Sequence, residues 1–256
     1  MSETIPVSVY IITLNEARNI KNCLKRLTDF DEVVVVDSGS VDETLVIANS
    51  FSNVKTQFNA WSGFSQQKTF ALSLCRNEWV LNVDADELLT EDYIVAVKET
   101  VMANKVDALE SNRTLYRQGK RPKSFRSGER LIRLFRKSAG HYEPRRVHES
   151  ITINGIVGST NATIEHHENL SFSQRIEKSN KYSLAKAQDK FEKGDKVSVV
   201  VVLLVFPLTL INTYFVKGYF LDGVNGILTS MNVAFYNFMK YSKLWEMNNS
   251  PDEDGL

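Results

Sequence analysis

Apolar runs alternate with helically spaced apolar positions over the first hundred residues, the pattern of strand–helix–strand units and of a mainly parallel open α/β sheet. Val7 to Thr13 reads as the first strand, and Glu16 to Leu27 as the helix after it, with Asn15 placed to cap it. The run Val33 to Val36 is all valine, as expected of a strand buried on both faces, and ends in the polar loop Asp37-Ser38-Gly39-Ser40. A helix opens at Asp42, a short strand lies near Val54, and a helix runs from about Ser65 to Cys75. The apolar strand Trp79 to Val83 then leads straight into Asp84-Ala85-Asp86-Glu87. From about Ala108 to Glu165 the chain is basic and mixed, strand-like at Leu131 to Phe135 and Ala162 to Glu165. Beyond Ser171 it turns helical: Phe172 to Phe191 is amphipathic, an apolar segment follows, and a last helix runs from about Asn225 to Leu244. This organisation predicts an α/β domain over 1–170, a helical, membrane-leaning C-terminal extension over 171–250 and a loose tail over 251–256.

At 256 residues and 43% hydrophobic composition the chain can bury one large core, with room for a helical appendage. Its 31 acidic and 31 basic residues balance, which removes net charge as an argument for nucleic-acid binding. Their distribution is uneven: between Arg113 and Arg146 there are twelve Lys or Arg against two acids, Glu129 and Glu143. Cys23 and Cys75 stand far apart and outside any Cys-x-x-Cys pair, so neither a disulfide framework nor a thiolate metal site is expected. The start Met1-Ser2-Glu3-Thr4 lacks the basic and apolar regions of a secretory signal, and a cytoplasmic location is the expectation. Val197 to Val216, bracketed by Lys196 and Lys217, is apolar enough to leave three placements open: a span, a segment lying in the membrane plane, or a buried core element.

The chemistry concentrates at strand ends, where an open α/β sheet binds ligands. Asp84 and Asp86 are carboxylates two residues apart after a buried strand, a spacing that can share Mg²⁺ or Mn²⁺. Such ions take few protein ligands and complete their shells with phosphate oxygens and water, which suits a diphosphate. Taken alone, the pair reads equally as a solvated capping turn. The loops Thr13-Leu14-Asn15-Glu16 and Asp37 to Asp42, at the ends of the first and second strands, shift the balance, since their amides, hydroxyls and carboxylates can hold a nucleoside. No Gly-x-Gly-x-x-Gly follows the first strand and no Gly-Lys-Ser/Thr loop occurs, which counts against dinucleotide oxidoreductases and P-loop enzymes.

With these stretches, and with the Lys68 region ending in Ala71-Leu72, residues 5 to 190 resemble the family 2 glycosyltransferases and their A-type nucleotide-sugar-binding fold. Within that family the chain looks most like the lipopolysaccharide inner-core β-1,4-glucosyltransferases, through Arg133-Leu134-Phe135-Arg136, Val147-His148-Glu149, Lys217 to Gly223 and Tyr241 to Glu246. The resemblance implies that Thr13, Asn15, Glu16, Asp37 and Asp42 hold the uridine, that Lys68 lies beside the nucleotide, and that Asp84 and Asp86 manage ribose, metal and diphosphate. It implies an inverting transfer, UDP-glucose as donor and a lipid-linked heptose as acceptor. Glu149 is then the candidate base, with His148 as neighbour or substitute, against the plain reading of an exposed strand-end glutamate. His166 is a candidate metal ligand beside Asp86, or simply a cap for the next helix. Arginine suits phosphate through its bidentate fork, and Arg133 and Arg136, three strand positions apart, cannot both face one side, so one of them is expected at the site. The basic stretch as a whole has three readings: an acceptor-phosphate site, attraction to an anionic leaflet that would make the enzyme peripheral on the inner face of a bacterial inner membrane, and a solvated loop. Other donors or acceptors, and a catalytically silent nucleotide-sugar or membrane binder, are the rival functions.

Overall fold

Strands whose residues are apolar on both sides must be covered on both sides, and the N-terminal half is built that way. The computed structural model describes residues 4–117, 119–124, 128–142, 151–168 and 170–250, so His148, Glu149 and the tail 251–256 lie outside the described residues. They form two compact units, one of residues up to 119 with 128–168, the other of 120–124 with 170–250.

The first unit runs β1 (Ile5–Thr13), α1 (Ile20–Lys25), β2 (Phe30–Asp37), α2 (Thr44–Ala48), β3 (Val54–Phe58), α3 (Phe64–Leu74), β4 (Trp79–Asn82), β5 (Glu87–Leu89), α4 (Glu91–Ala103), β6 (Ala108–Arg117), β7 (Gly128–Arg136), β8 (Gly140–Tyr142), β9 (Ile151–Ile153) and β10 (Val157–Glu168). Eight strands make one sheet in the order β3-β2-β1-β4-β7-β6-β10-β5, and β8 pairs with β9 as a separate ribbon. From β3 to β4 the pairing is parallel. Beyond β4 it is mixed, because β7 enters antiparallel to both β4 and β6, and β5 runs antiparallel to β10. Alternate residues of β1 and β2 feed two cores. Val7, Val9, Ile11, Val33 and Val35 pack with Leu24, Tyr93 and Val97 on one face, while Tyr10, Val34 and Val36 pack with Ala71 and Leu72 on the other.

Asn15 does not cap a helix beginning at Glu16. Its backbone is left-handed, at φ 57°, and α1 begins only at Ile20, after Asn19. The physical reason is long-range: the Asn15 and Glu16 amides donate to Ser40 Oγ and Thr44 Oγ1, both at 2.8 Å, so this stretch is tied to the neighbouring loop instead of the helix.

The second unit holds α5 (Phe172–Glu192), α6 (Val199–Ile211) continued by a π-helical turn to Val216, a 3₁₀ turn Tyr219–Asp222, and α7 (Gly223–Asn249). Ser171 caps α5 through a reciprocal pair with Gln174. The apolar segment is not a core element, since α6 has no buried residue. Val199–Val216 is long and apolar enough to cross a membrane by length and composition.

Candidate active site

The polypeptide leaves β4 beside Tyr10, where the Val83 amide donates to the Tyr10 carbonyl, and turns back into β5. Glu87 closes that turn: its amide donates to the Asp84 carbonyl at 2.9 Å, and its carboxylate accepts the Asp84 amide at 3.0 Å. The Glu87 side chain is wholly buried, so it requires charge partners. Arg133 supplies them. Because β7 pairs antiparallel with β4, with Leu134 opposite Leu81, the adjacent Arg133 reaches the end of β4 and donates to Asn82 Oδ1, to Asp84 Oδ2 at 2.6 Å and to Glu87 Oε1. Lys68, itself buried on α3, brings Nζ to 3.4 Å from Asp84 Oδ1, and Arg113 Nη1 stands 3.2 Å from Glu87 Oε1. Burial opposes ionisation of Asp84, but the Arg133, Lys68 and Arg113 charges prevail and hold its carboxyl well below the usual carboxylate range.

Asp86, beyond buried Ala85, meets β10. Its Oδ2 lies 2.9 Å from His166 Nε2, and its carbonyl accepts the His167 amide at 2.9 Å. The antiparallel register that sets His166 opposite Glu87 makes this meeting possible. Burial alone would lower the His166 pKa; the bond to Asp86 outweighs it and raises the value.

The two nucleoside-loop candidates are interlocked. Asp37 Oδ2 accepts the Gly39 and Ser40 amides, each at 2.8 Å, and Asn15 Oδ1 accepts the Val41 amide at 2.9 Å. Asp42 accepts from Thr44 and from the Ala17 amide at 3.1 Å. These carboxylates thus shape backbone that faces the same sheet edge as Asp84 and Asp86. Thr13 is buried at the end of β1, and its hydroxyl has no hydrogen-bond partner among the described residues.

Arg136 lies elsewhere, 3.4 Å from Asp107 Oδ1 and stacked over the Trp79 ring. Of the two candidate phosphate arginines, Arg133 is therefore the one at the site, where it neutralises buried carboxylates, and Arg136 sits at the far end of β7. Sequence reasoning passed over Glu87, although it directly follows Asp86. It also passed over Arg113, and over Gln67, whose buried amide bridges Ser38 Oγ and Asn59 behind the nucleoside loops. Cys23 and Cys75 are buried, and burial raises the Cys75 thiol to about 12, so neither offers a thiolate.

Among the described residues no three His, Cys, Asp or Glu side chains converge as a metal group. The Asp86–His166 pair fits a cation that takes two protein ligands and draws the rest from a diphosphate.

The family model described as glycosyl transferase family 2 matches residues 8–162. The chain is 31% identical over 257 residues to the lipopolysaccharide core biosynthesis glycosyltransferase LpsC of Rhizobium meliloti, covering 96% of this chain and 94% of LpsC. It is also 31% identical over 268 residues to an uncharacterized glycosyltransferase of Rickettsia bellii, covering 97% and 90%. Among solved structures, S. aureus TarS 1-349 in complex with UDP aligns with a TM-score of 0.50 at 14% identity, over 95% of this chain and 90% of that one, a likeness of fold. The chain belongs to glycosyl transferase family 2.

Proposed function

We propose that this glycosyltransferase moves glucose from UDP-glucose onto a heptose of the lipopolysaccharide inner core, with inversion, at the inner face of the bacterial inner membrane. The observation that carries the reading is the pairing, on one turn, of an Asp84 carboxylate locked in its ionised form with an Asp86–His166 pair open to a cation. The LpsC relation supports the acceptor pathway, and the UDP complex of TarS accords with a UDP donor. The buried Thr13 hydroxyl and the amide-rich loops around Asp37, Asn15 and Asp42 offer partners for uridine, with Glu16 beside them and Lys68 at the diphosphate side.

Asp86 and His166 would hold Mg²⁺ or Mn²⁺, which when bound supplies positive charge against the departing diphosphate. The protein's own groups do the rest. Arg133 and Lys68 keep Asp84 charged and oriented for ribose and diphosphate. Glu149 takes the proton of the acceptor hydroxyl, with His148 adjacent, as the hydroxyl oxygen bonds to the anomeric carbon and the bond to UDP breaks.

The test is UDP release with extracted core lipid and UDP-glucose, with and without Mg²⁺ or Mn²⁺. Turnover that requires the ion and falls on the order of a hundredfold or more in Glu149→Gln is expected. Full rate in Glu149→Gln removes the base assignment. Donor binding without any turnover identifies a silent binder and overturns the reading.

A further inference from the structure

In a water-soluble helical unit the large apolar side chains turn inward and the small and polar ones outward. The second unit is built the other way. Of the five buried residues of α7, Gly226, Thr229, Ser230 and Ala234 are small and only Leu244, toward its end, is large, and the buried residues of α5 are Ser179, Ser183 and Ala187 beside Arg175. The large side chains Val224, Ile227, Met231, Phe235 and Phe238, spaced three and four apart along α7, stay exposed. No residue of α6 is buried; Leu203, Leu208 and Ile211, and Phe215 and Val216 in the π-helical turn that follows, are each more than half exposed. Small residues between helices and large apolar residues outside is the arrangement of helices packed in lipid.

Two features decide how such a unit would sit. First, α6 and α7 form an antiparallel hairpin: at one end the Val197 amide donates to Asn248 Oδ1 at 3.2 Å, and at the other Gly226 packs against Tyr219. On its other side α7 is held to polar α5, through Lys243 to Asn180 and Ser183 and through Ser179 to Asn232. Were α6 to cross a bilayer, α7 would go with it and carry Asn225, Asn232, Lys240 and Lys243 into hydrocarbon. Second, the hairpin tip is basic. Exposed Lys120, Arg121 and Lys123 join this unit there, anchored by the Lys123 amide donating to Asp222, and Lys217 lies at the end of the apolar segment. Against these cations the tip carries, among the described residues, the single carboxylate Asp222, whereas Lys193 and Lys196 at the opposite end are accompanied by exposed Glu192 and Glu246.

We infer that the α6–α7 hairpin is a monotopic anchor that lies flat in an anionic leaflet, α6 innermost and α5 toward water, with Lys120, Arg121 and Lys123 among the phosphate headgroups. This deepens the membrane side of the proposed function and is independent of the donor. Flotation of the full chain with phosphatidylcholine vesicles, with and without phosphatidylglycerol, tests it. The expected result is partition that rises steeply with the anionic lipid. Lys120→Gln, Arg121→Gln and Lys123→Gln together should lower it roughly fivefold per charge, on the order of a hundredfold in all. Leu203→Gln with Leu208→Gln, at positions already exposed and so tolerated by the fold, should abolish it. Spin labels on Val201→Cys, Leu208→Cys and Val216→Cys, read by depth-dependent relaxation, should report one shared depth. Depths that step across the bilayer mean a span and overturn the inference. So does failure to float together with a dimer in which the labels broaden one another, the mark of a second copy covering the face. Uridine diphosphate titrated into the same samples separates the readings: binding without flotation sinks only the anchor, and flotation without binding sinks only the donor assignment.

Discussion

Replacing Arg133 with methionine removes the guanidinium that three acceptors at the end of β4 share and leaves a side chain long enough to fill most of the space. In the native protein Arg133 is 7% exposed, Glu87 0% and Asp84 29%. Removing one partner of a buried ion pair leaves an uncompensated charge and costs about 3–5 kcal/mol. Asp84 keeps Lys68 at 3.4 Å and some solvent, and Glu87 keeps Arg113 at 3.2 Å, so the lower end, about 3 kcal/mol, applies. For a chain of this size about 3 kcal/mol lowers Tm by roughly 6–12 °C. If stranded charge is the cause, Arg133→Met with Glu87→Gln recovers part of the loss, a coupling of about 1–3 kcal/mol. Thermal and urea unfolding followed by circular dichroism give both numbers, and UDP titration should show weakened donor binding in Arg133→Met as Asp84 loses its orientation. A single variant within about 1 kcal/mol of the wild type, or a double variant whose losses simply add, would refute the account of Arg133 as the neutralising centre.

Glu32, 2% exposed, accepts from Ser8 Oγ at 2.7 Å, the Arg76 amide at 3.0 Å and Lys55 Nζ at 3.1 Å; burial pushes its pKa up, and these donors outweigh burial and leave it lowered. A depressed folded pKa contributes stability in full above the unfolded value of about 4.3 and loses it as pH falls toward the folded one. The gap between wild type and Glu32→Gln in urea unfolding should therefore be level from neutral pH down to the unfolded value and narrow below it; a gap that widens in acid contradicts the assignment. Gly226→Ala places a Cβ 1.7 Å from the Tyr219 carbonyl oxygen, which forces the start of α7 off the 3₁₀ turn and should cost about 3 kcal/mol, whereas Gly194→Ala, with nothing within 4 Å and a φ of +77°, should cost only about 1 kcal/mol. Equal melting temperatures for the two alanine variants would remove the close-approach argument.

How much of this was legible beforehand depends on the range of the interactions. The valine run of β2, the strand ends and Asp84 with Asp86 all follow from local pattern, because burial on both faces and polar loops at carboxyl edges leave a mark within a few residues. Asn15 read locally as a cap, but its partners Ser40 and Val41 lie twenty-five and twenty-six residues on, and only the pairing of β1 with β2 brings those loops together. Arg133 is the stronger case. The alternation of a strand shows that Arg133 and Arg136 face different ways, yet which of them meets Asp84, forty-nine residues away, is decided by the antiparallel insertion of β7 between β4 and β6.

The helical unit shows the same limit from another direction. Periodicity along α7 reveals that one face is apolar, and the composition of α6 reveals that it avoids water, but neither says whether protein or lipid covers those faces. That follows only from what occupies the interfaces. Gly226, Thr229, Ser230 and Ala234 inside, with Ile227, Met231 and Phe235 outside, reverse the order that aqueous folding enforces. A helix pair stable in that order requires an apolar surrounding, and the basic segment fastened at Asp222 sets the charge of the surface that provides it.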